Sequence, residues 1–450
     1  MTGPLRVGAA RVAVTPPPGV RMSGYAARID VADGTLDELY CRAVFLDDGV
    51  APVVIAVCDL LAVTARLRRR VCARLRERPG LDPARLLLAA THTHCGPAGL
   101  ATPDDEPVLD RIVDGIVAAV RAAADAAEPA RLLTGEVDVE GIGANRRDPD
   151  GPLDITARVV AAVRPGDGGV ITVLANHACH PTILEHTTTG WSADFPGAAV
   201  GTIEALCGGT ALFLQGCAGD VNPVFVAHTP AEAHRTGAIL GAACAQRVLA
   251  LQRSAADPRV INLSWEEETP APAPRLGRVV PPAPLRAELV DVPVTPRQRT
   301  DPEWTRREAA AARAALADAD GPAARRAAGP RAAQLWIEDL LHARAAHFDC
   351  LDAPPAGDAT LPVQALRIGD GLAVVGLPGE PFTATGGLIR ASDPGTVLVV
   401  GYANHSSGYL PTREEFPRSG YEVGCSQYAV GTAERLTEAA TGLLAALRKA

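Results

Sequence analysis

Residues 85–97 read RLLLAATHTHCGP, an apolar run that passes directly into two histidines, a cysteine and a Gly-Pro pair. The apolar run is typical of a buried strand, and the Gly-Pro pair marks a turn. Two imidazoles at spacing i, i+2 on an extended backbone face the same side, which is a chelating arrangement. A metal site, a general base and a plain turn all remain compatible with this stretch taken alone.

Apolar runs alternate with amphipathic segments along the whole chain. The segment APVVIAVCDLL (51–61) is predicted to be a buried strand, and the pattern over 63–78 predicts a helix after it. Further strands are predicted at 131–139, 155–163, 169–176, 210–215, 260–265, 362–377 and 396–403, and further helices at 106–126, 230–253 and 429–448. This alternation predicts an α/β protein with mixed β-sheets covered by helices. No internal repeat is apparent.

The chain of 450 residues is expected to form a single domain, 1–450, that contains an insertion at 267–348. Residues 267–300 are Pro-rich and aperiodic, which predicts an extended excursion over the surface. Residues 302–348 are rich in Ala and Arg and are broken by two Gly-Pro pairs, which predicts a helical hairpin.

Composition excludes several classes of protein. The chain is 47% apolar but has no run long enough to span a bilayer. A net charge of −9 without a basic stripe argues against nucleic acid or an anionic membrane as the main partner. The N-terminal stretch MTGPLRVGAARVAVTPPPG lacks the pattern of a signal peptide, so a cytoplasmic location is expected. The ten cysteines are then expected to be free thiols or ligands rather than disulfides.

Five predicted strands lead directly into polar, reactive side chains. These are His92 and His94 after the first strand, Asn176, His177, Cys179 and His180 after the second, Cys217, Asp220 and Asn222 after the third, Gly379 and Glu380 after the fourth, and His405 and Tyr409 after the fifth. Ligand and catalytic sites of α/β sheets gather beyond the carboxyl ends of the strands. We therefore expect the five strand ends to share one crevice that holds a metal site.

The residue types suit zinc. A catalytic zinc takes about three protein ligands, such as neutral imidazoles at about 2 Å, and keeps one position open for water. His92, His94 or both, together with His180 and Glu380, would supply such a set from three strands. Each residue also has a simpler explanation: His180 precedes a proline in a turn, Glu380 caps the following helix, and Asp220 is a turn residue. Their co-occurrence favours the metal site.

Seven short motifs, in order along nearly the whole chain, resemble the neutral/alkaline non-lysosomal ceramidase family, specifically its N-terminal catalytic domain. The motifs are VTPPPGVRMSGYA (14–26), THTHCGP (91–97), GANRRD (143–148), NHACHPTIL (176–184), GDVNP (219–223), LPGEPFTATG (377–386) and YLPTREEFPRSGYE (409–422). The resemblance implies an α/β zinc amidohydrolase that cleaves an N-acyl bond.

The resemblance also implies roles for individual residues. Four match the family's zinc ligands, namely His92, His180, Glu380 and Tyr409. Three match residues around the reacting centre, namely His94, which is off the metal, and Arg146 and Tyr421, which contact the scissile amide. The phenol of Tyr409 is an unusual ligand that the residue pattern alone does not indicate.

This sequence departs from the family pattern at Asn222, which stands where the family's GDVSP stretch supplies a catalytic serine. An amide cannot act as a nucleophile, so a serine-based mechanism is unavailable at that position. The sequence does not continue into the family's C-terminal β-sandwich, and aromatic residues make up only 4% of it. We therefore expect a small, soluble amide as the partner molecule rather than ceramide. The oligomeric state is not indicated.

The predicted function is a zinc-dependent hydrolase that cleaves an amide bond through a metal-activated water. In this hypothesis His94 takes the proton and passes it to the leaving amine. The developing oxyanion would be stabilised by zinc with Tyr421 or Arg146, and Asn222 could donate a hydrogen bond to it.

Three alternatives stay open. A zinc esterase or lactonase would use the same site, a thiol hydrolase would use Cys217, Cys95 or Cys179, and a binding homologue would have lost catalysis. Asp59 and Asp194 are candidates for orienting the ligand imidazoles, with a cap or turn carboxylate as the alternative role for each.

Overall fold

Three β-sheets, each built by one β-β-β-α-β-α unit, make up most of the structure. The computed structural model describes residues 3–25, 28, 30–76, 81–98, 100, 106–255, 259–262, 267–270, 277–297 and 359–449. The first unit contains β1 (Arg6–Ala13), β2 (Gly34–Thr35), β3 (Tyr40–Asp47), β4 (Val53–Cys58), α1 (Ala65–Arg76), β5 (Leu86–Ala90), α2 (Glu106–Asp125) and β6 (Glu128–Pro129).

The second and third units follow in the same order of elements. The second contains β7 (Arg131–Asp138), β8 (Gly143–Asn145), β9 (Thr156–Val163), β10 (Val170–His177), β11 (Gly190–Trp191), α3 (Asp194–Cys207), β12 (Thr210–Gln215), β13 (Val221–Pro223) and α4 (Pro230–Ala255). Three short strands then lead on, β14 (Arg259–Asn262), β15 (Glu267–Pro270) and β16 (Gly277–Val279). The third unit contains β17 (Arg286–Val294), β18 (Ala359–Gly369), β19 (Leu372–Gly376), β20 (Glu380–Pro381), α5 (Thr383–Ala391), β21 (Thr396–Val400), β22 (Tyr409–Leu410), α6 (Tyr421–Cys425) and α7 (Thr432–Lys449).

The three sheets share one topology. Their strand orders are β5-β4-β3-β1-β6, β12-β10-β9-β7-β16 and β21-β19-β18-β17. In each unit the first three main strands are antiparallel neighbours, whereas the fourth pairs in parallel with the third. A parallel pair needs a crossover connection, which α1, α3 and α5 supply. The backbone therefore contains the same topology three times, although no internal repeat is apparent in the sequence.

The inner faces of the sheets pack together in one central core. Its buried side chains include Val44, Ile55 and Leu87 from the first unit, Leu174 and Leu212 from the second, and Leu366, Val374 and Leu398 from the third. Helices cover the outer faces, with α2 on the first sheet, α3 and α4 on the second, and α5 and α7 on the third. Because such strands are buried on both faces, they read as continuous apolar runs rather than as alternating ones.

The carboxyl ends of the parallel strands are joined by hydrogen bonds between units. The backbone N–H of Asn404 donates to the carbonyl of Leu88 at 2.7 Å, which joins the third unit to the first. The N–H of Gly401 donates to the carbonyl of Gln215 at 3.0 Å, and the Gln215 side chain donates to the carbonyl of Thr91 at 3.4 Å. All three sheets therefore meet at the edge where the polar strand ends were predicted to gather.

The predicted class, α/β with mixed sheets covered by helices, is confirmed. The helix predicted over 106–126 is Glu106–Asp125, and the segment predicted to be strand at 362–377 forms the hairpin of β18 and β19. None of the helices in the described ranges combines the length and the apolar composition that crossing a bilayer requires.

The structure differs from the sequence-based expectation in part of the predicted insertion at 267–348. Residues 277–279 form an edge strand of the second sheet, and residues 286–294 form the first strand of the third. The aperiodic pattern of 267–300 therefore conceals strands, because β17 contains proline and charged residues and is only half-buried. The helical hairpin predicted at 302–348 lies outside the described residues.

Replacing a side chain of the central core tests the packing of the three sheets. Leu212→Ala is expected to lower the free energy of unfolding by about 2–5 kcal/mol, because the side chain is fully buried and its removal leaves a cavity. The matched control is Leu206→Ala, since Leu206 is 53% exposed and its loss should change stability by about 0.5 kcal/mol or less. Urea denaturation measures both. Equal stabilities of the two variants would contradict the shared core.

Candidate active site

Two histidines from different units are each held by a hydrogen bond between the ring and a backbone carbonyl. His92 follows β5, and its Nδ1 lies 2.7 Å from the carbonyl oxygen of Leu61, which follows the neighbouring parallel strand β4. His180 follows β10, and its Nδ1 lies 2.7 Å from the carbonyl of Ala218, which follows the parallel neighbour β12. His92 also has a positive φ of 68°, a conformation that non-glycine residues adopt rarely and mostly at special sites. The backbone therefore sets both the position and the tautomer of each ring.

The Nε2 atoms of these rings face each other. They lie 3.0 Å apart, although neither can donate a hydrogen bond when Nδ1 carries the proton. Burial, and then the nearby charge of Arg146, lowers the pKa of His180 to about 4, so this ring is neutral near pH 7. Two bare nitrogen lone pairs at this distance repel each other unless a cation lies between them.

Glu380 completes a cradle around the two nitrogens. Its Oε2 lies 3.5 Å from Nε2 of His92 and 3.3 Å from Nε2 of His180. Burial raises the pKa of Glu380, whereas positive charge on the side of His92 and His180, where a cation would lie, lowers it below its usual range. Ligands about 2.0–2.1 Å from a tetrahedral zinc lie about 3.3–3.4 Å from one another, which fits these distances.

Tyr409 is placed beside Glu380 by the backbone. The short parallel strands β20 and β22 pair Glu380 directly with Tyr409, so the two side chains start from neighbouring backbone positions. The Tyr409 ring is nearly parallel to that of His180, with centroids 6.4 Å apart, and the guanidinium of Arg146 lies 5.2 Å from its centre. Burial raises the pKa of Tyr409 well above its usual value, and Arg146 opposes this shift. The structure thus brings all four predicted ligands together.

His94 lies at the same centre. Its Nε2 is 3.3 Å from Nε2 of His92, and its ring meets the edge of the Tyr25 ring at 4.7 Å between centroids. Burial, and then the proximity of His92 and His180, lowers the pKa of His94, so the neutral ring can accept a proton. The ligand atoms of the three histidines lie within 4.8 Å of one another. Geometry alone therefore admits His94 either as a ligand or as a base.

Arg146 is fixed on several sides by hydrogen bonds and ion pairs. It donates to the side-chain oxygen of Asn222 at 3.1 Å and to the carbonyl of Gly219 at 2.7 Å. Its Nε lies 2.8 Å from the buried carboxylate of Glu422, which also pairs with Arg147. The bond from Arg146 leaves the amide nitrogen of Asn222 as a donor. Arg146 and Asn222 therefore form one unit beside the cradle.

Tyr421 stands at the rim of the site. It begins α6, is 39% exposed, and meets the Tyr409 ring edge-on at 5.6 Å between centroids. The residues predicted as zinc ligands or as acting on the substrate are thus near the cradle or linked to it through Arg146 and Tyr409.

Asp59 and Asp194 do not orient the imidazoles, so of the two roles open for each the structural one is confirmed. Asp59 accepts a backbone hydrogen bond from Tyr40, and Asp194 accepts one from Leu184, each at 2.9 Å. Backbone carbonyls take the orienting role instead. Asp220 is likewise structural, because it accepts from the N–H and hydroxyl of Thr383 at the start of α5.

The cysteines proposed as alternative nucleophiles are poorly suited to that role. Burial raises the pKa of the Cys95 and Cys217 thiols to about 12, and it raises that of Cys179 further. The reactive form of cysteine is the thiolate, which these sites disfavour. The nine cysteines of the described ranges are all unpaired, as expected from the sequence.

Sequence reasoning missed Tyr402, whose ring lies 4.1 Å from that of His92. It lies within the predicted strand 396–403 among apolar residues, so its pattern is that of a core side chain. It also missed the carbonyls of Leu61 and Ala218, because any residue can offer a backbone oxygen. Only the position of these residues directly after parallel strands could have indicated them.

A family model described as "Neutral/alkaline non-lysosomal ceramidase, N-terminal" matches residues 5–256, more than half of the chain. The chain is 27% identical over 470 residues to a neutral ceramidase of Mycobacterium tuberculosis, covering 90% of this chain and 71% of the relative. It is 24% identical over 495 residues to the neutral ceramidase of Pseudomonas aeruginosa, covering 96% and 70%.

Solved structures share the fold. One described as "Ceramidase complexed with C2" superposes with a TM-score of 0.73 at 22% identity, covering 99% of this chain and 75% of that one. The crystal structure of neutral ceramidase from Pseudomonas aeruginosa gives a TM-score of 0.72 at 21% identity, covering 100% and 75%. The three-sheet architecture is therefore common to this chain and those enzymes.

Neutralising Glu422 tests the network behind Arg146. Glu422→Gln is expected to lower the free energy of unfolding by about 3–5 kcal/mol, because Arg146 loses its buried ion-pair partner and Arg147 keeps only Glu415. Glu415→Gln is the matched control, since Glu415 contacts Arg147 but not Arg146 and is more exposed, and it should cost about 1 kcal/mol or less. Chemical denaturation measures both. A Glu422 variant as stable as the control would contradict the role of this carboxylate.

Proposed function

Because the chain belongs to the neutral/alkaline non-lysosomal ceramidase family, we propose that it is a zinc-dependent hydrolase that cleaves the amide bond of an N-acyl substrate. His92, His180, Glu380 and Tyr409 would hold the zinc. His94, Arg146, Asn222 and Tyr421 would act on the substrate. A cytoplasmic location remains a prediction from the sequence.

The observation that carries this proposal is the pair of facing imidazoles. Nε2 of His92 and Nε2 of His180 lie 3.0 Å apart while each Nδ1 is bound to a backbone carbonyl. A buried arrangement of two bare nitrogens and a carboxylate is unfavourable by itself and favourable around a divalent cation. The nitrogen and oxygen donors suit zinc, and the absence of thiolate from the set is typical of catalytic rather than structural sites. When bound, zinc lowers the pKa of a coordinated water towards 7 and polarises a carbonyl oxygen.

His94 is the residue proposed to move the proton. Its ring is neutral and its Nε2 faces the centre, so it can accept a proton from the attacking water. The same nitrogen then returns the proton to the leaving amine, which must be protonated to depart. General acid–base catalysis of this kind contributes about 10²–10⁴ in rate.

Arg146 and Asn222 are proposed to stabilise the oxyanion. Arg146 fixes the oxygen of the Asn222 amide, so the amide N–H groups remain available to a negatively charged oxygen. This role needs only a donor, and asparagine can supply one without acting as a nucleophile. Tyr421, exposed at the rim, would contact the scissile amide from the solvent side.

The names of the relatives support a ceramide-like lipid amide as the substrate. The low aromatic content of the sequence led instead to the expectation of a small, soluble amide. The dependence of activity on acyl-chain length distinguishes a lipid amide from a small, soluble amide as the substrate. Activity on a matched ester distinguishes an esterase from an amidase.

Substituting each histidine of the THTH motif separates metal binding from proton transfer. His92→Ala is expected to lower the zinc content from about one ion per chain to nearly none, because one of the proposed zinc ligands is lost. His94→Ala should keep its zinc and lower kcat by about 10²–10⁴, because only the proton acceptor is lost. Elemental analysis gives the zinc content, and the substrates are ceramide, a short-chain N-acyl amine and the matching ester.

The matched control is His234→Ala, at an exposed histidine of α4, which should leave zinc content and kcat unchanged. Retention of zinc by the His92 variant would contradict the ligand assignment, and loss of zinc by the His94 variant would make His94 a ligand. Activity that resists chelators but is lost on alkylation would instead support a thiol hydrolase.

Changing Asn222 to an acid tests the oxyanion role. Asn222→Asp keeps an oxygen for Arg146 but replaces the amide donor with a second negatively charged oxygen. We expect kcat to fall by about 10²–10³, because one oxyanion donor is worth that much, while zinc content and the thermal midpoint stay near those of the unaltered protein. A kcat within about threefold of the unaltered protein would refute this role.

A further inference from the structure

Tyr402 is a buried tyrosine whose hydroxyl is not used by the mechanism above. The residue is 1% exposed, and its hydroxyl has no hydrogen-bond partner among the described residues. Its φ of +55° lies in the left-handed region, which is unusual for a bulky aromatic residue and is mostly found where function requires it.

Backbone hydrogen bonds join Tyr402 to the segments that carry two of the proposed ligands. Its N–H donates to the carbonyl of Gly379 at 2.8 Å, next to Glu380 in the chain. Its carbonyl accepts from the N–H of Ala90 at 3.2 Å, at the end of the strand that leads to His92. The ring lies 4.1 Å from that of His92, with a tilt of 30°. The strained conformation therefore directs the side chain along the ligand imidazole.

A small cavity opens beside this ring. It has a volume of about 20 Å³ and is lined in part by Tyr402, His92, Glu380 and Gly379. None of the four residues proposed to act on the substrate lines it. The volume suits one water molecule, which needs two or more polar partners.

Polar groups suited to a water surround the cavity. The Tyr402 phenol is a donor, and the Glu380 carboxylate is an acceptor that lines the same cavity. His405 and Ser406 are further polar residues in its lining.

We propose that this cavity binds one ordered water, held by the Tyr402 hydroxyl and hydrogen-bonded to Glu380, and that Tyr402 is a positioning residue for that carboxylate. The inference rests on the metal-binding part of the proposed function. Groups that hydrogen-bond to a metal ligand fix its orientation, and their loss typically weakens metal binding by about 10–100-fold. Zinc affinity is therefore the property that Tyr402 should control.

Tyr402→Phe removes the hydroxyl and keeps the ring against His92. The zinc dissociation constant, measured by competition with a chromogenic chelator, is expected to rise by about 10–100-fold. The metal-free variant should unfold at the same or a lower temperature than the unaltered metal-free protein, because the water loses a partner. Tyr428→Phe is the matched control, since Tyr428 is also buried but belongs to the core of the third unit.

A Tyr402 variant that binds zinc within about twofold of the unaltered protein would overturn the proposal. A raised unfolding temperature for the metal-free variant would do the same, because it would mean that the hydroxyl faces an empty cavity. An equal loss of zinc affinity in the Tyr428 control would assign the effect to general destabilisation and would also overturn it.

A crystal structure of the unaltered protein gives an independent test. Electron density for one water within hydrogen-bond distance of the Tyr402 hydroxyl and Glu380 is expected, and a cavity without that density would overturn the proposal even if a variant failed to fold. If the unaltered protein bound no zinc at all, the proposed function would fail instead, and the water would still be tested by the density.

Discussion

The arrangement depends on one unfavourable contact, the approach of two unprotonated imidazole nitrogens to 3.0 Å. Backbone carbonyls of Leu61 and Ala218 hold the proton of each ring at Nδ1, so the rings cannot relieve the contact by sharing a hydrogen bond. The strands that lead to the two rings are packed in the shared core, which opposes their separation. A cation between the two nitrogens replaces this repulsion with coordination. It also attracts the negatively charged carboxylate of Glu380, whose burial would otherwise be unfavourable. The positions of His94, Tyr409 and Arg146 are arranged around that point.

The fold explains how such a contact can be built. Three units with the same topology each end in a parallel strand pair, and their inner faces share one core, so three sets of carboxyl ends must meet. The first unit supplies His92, the second supplies His180, and the third supplies Glu380 and Tyr409. Strain is concentrated there as well, since His92 and Tyr402 have left-handed backbone conformations. The stability of the remaining fold therefore supports a local geometry that would not persist in isolation.

The sequence predicts the strands and their reactive ends because doubly buried strands leave long apolar runs with abrupt polar endings. It does not predict the threefold topology, because each unit fills its share of the core with different side chains. For Asp59 and Asp194 the sequence leaves two roles open, since the pattern of a carboxylate after a strand does not distinguish an imidazole partner from a backbone one, and the structure shows the backbone partner. Tyr409 followed only from the family resemblance, because its place beside Glu380 is set by the pairing of β20 with β22.

The central claim is that a single zinc ion occupies the centre defined by these residues. Anomalous X-ray scattering from a crystal, recorded on both sides of the zinc absorption edge, locates such an ion directly. One strong peak is expected about 2.0–2.2 Å from Nε2 of His92, Nε2 of His180 and a carboxylate oxygen of Glu380. A zinc-saturated crystal with no peak at that position, and with the two imidazoles still in contact, would contradict it.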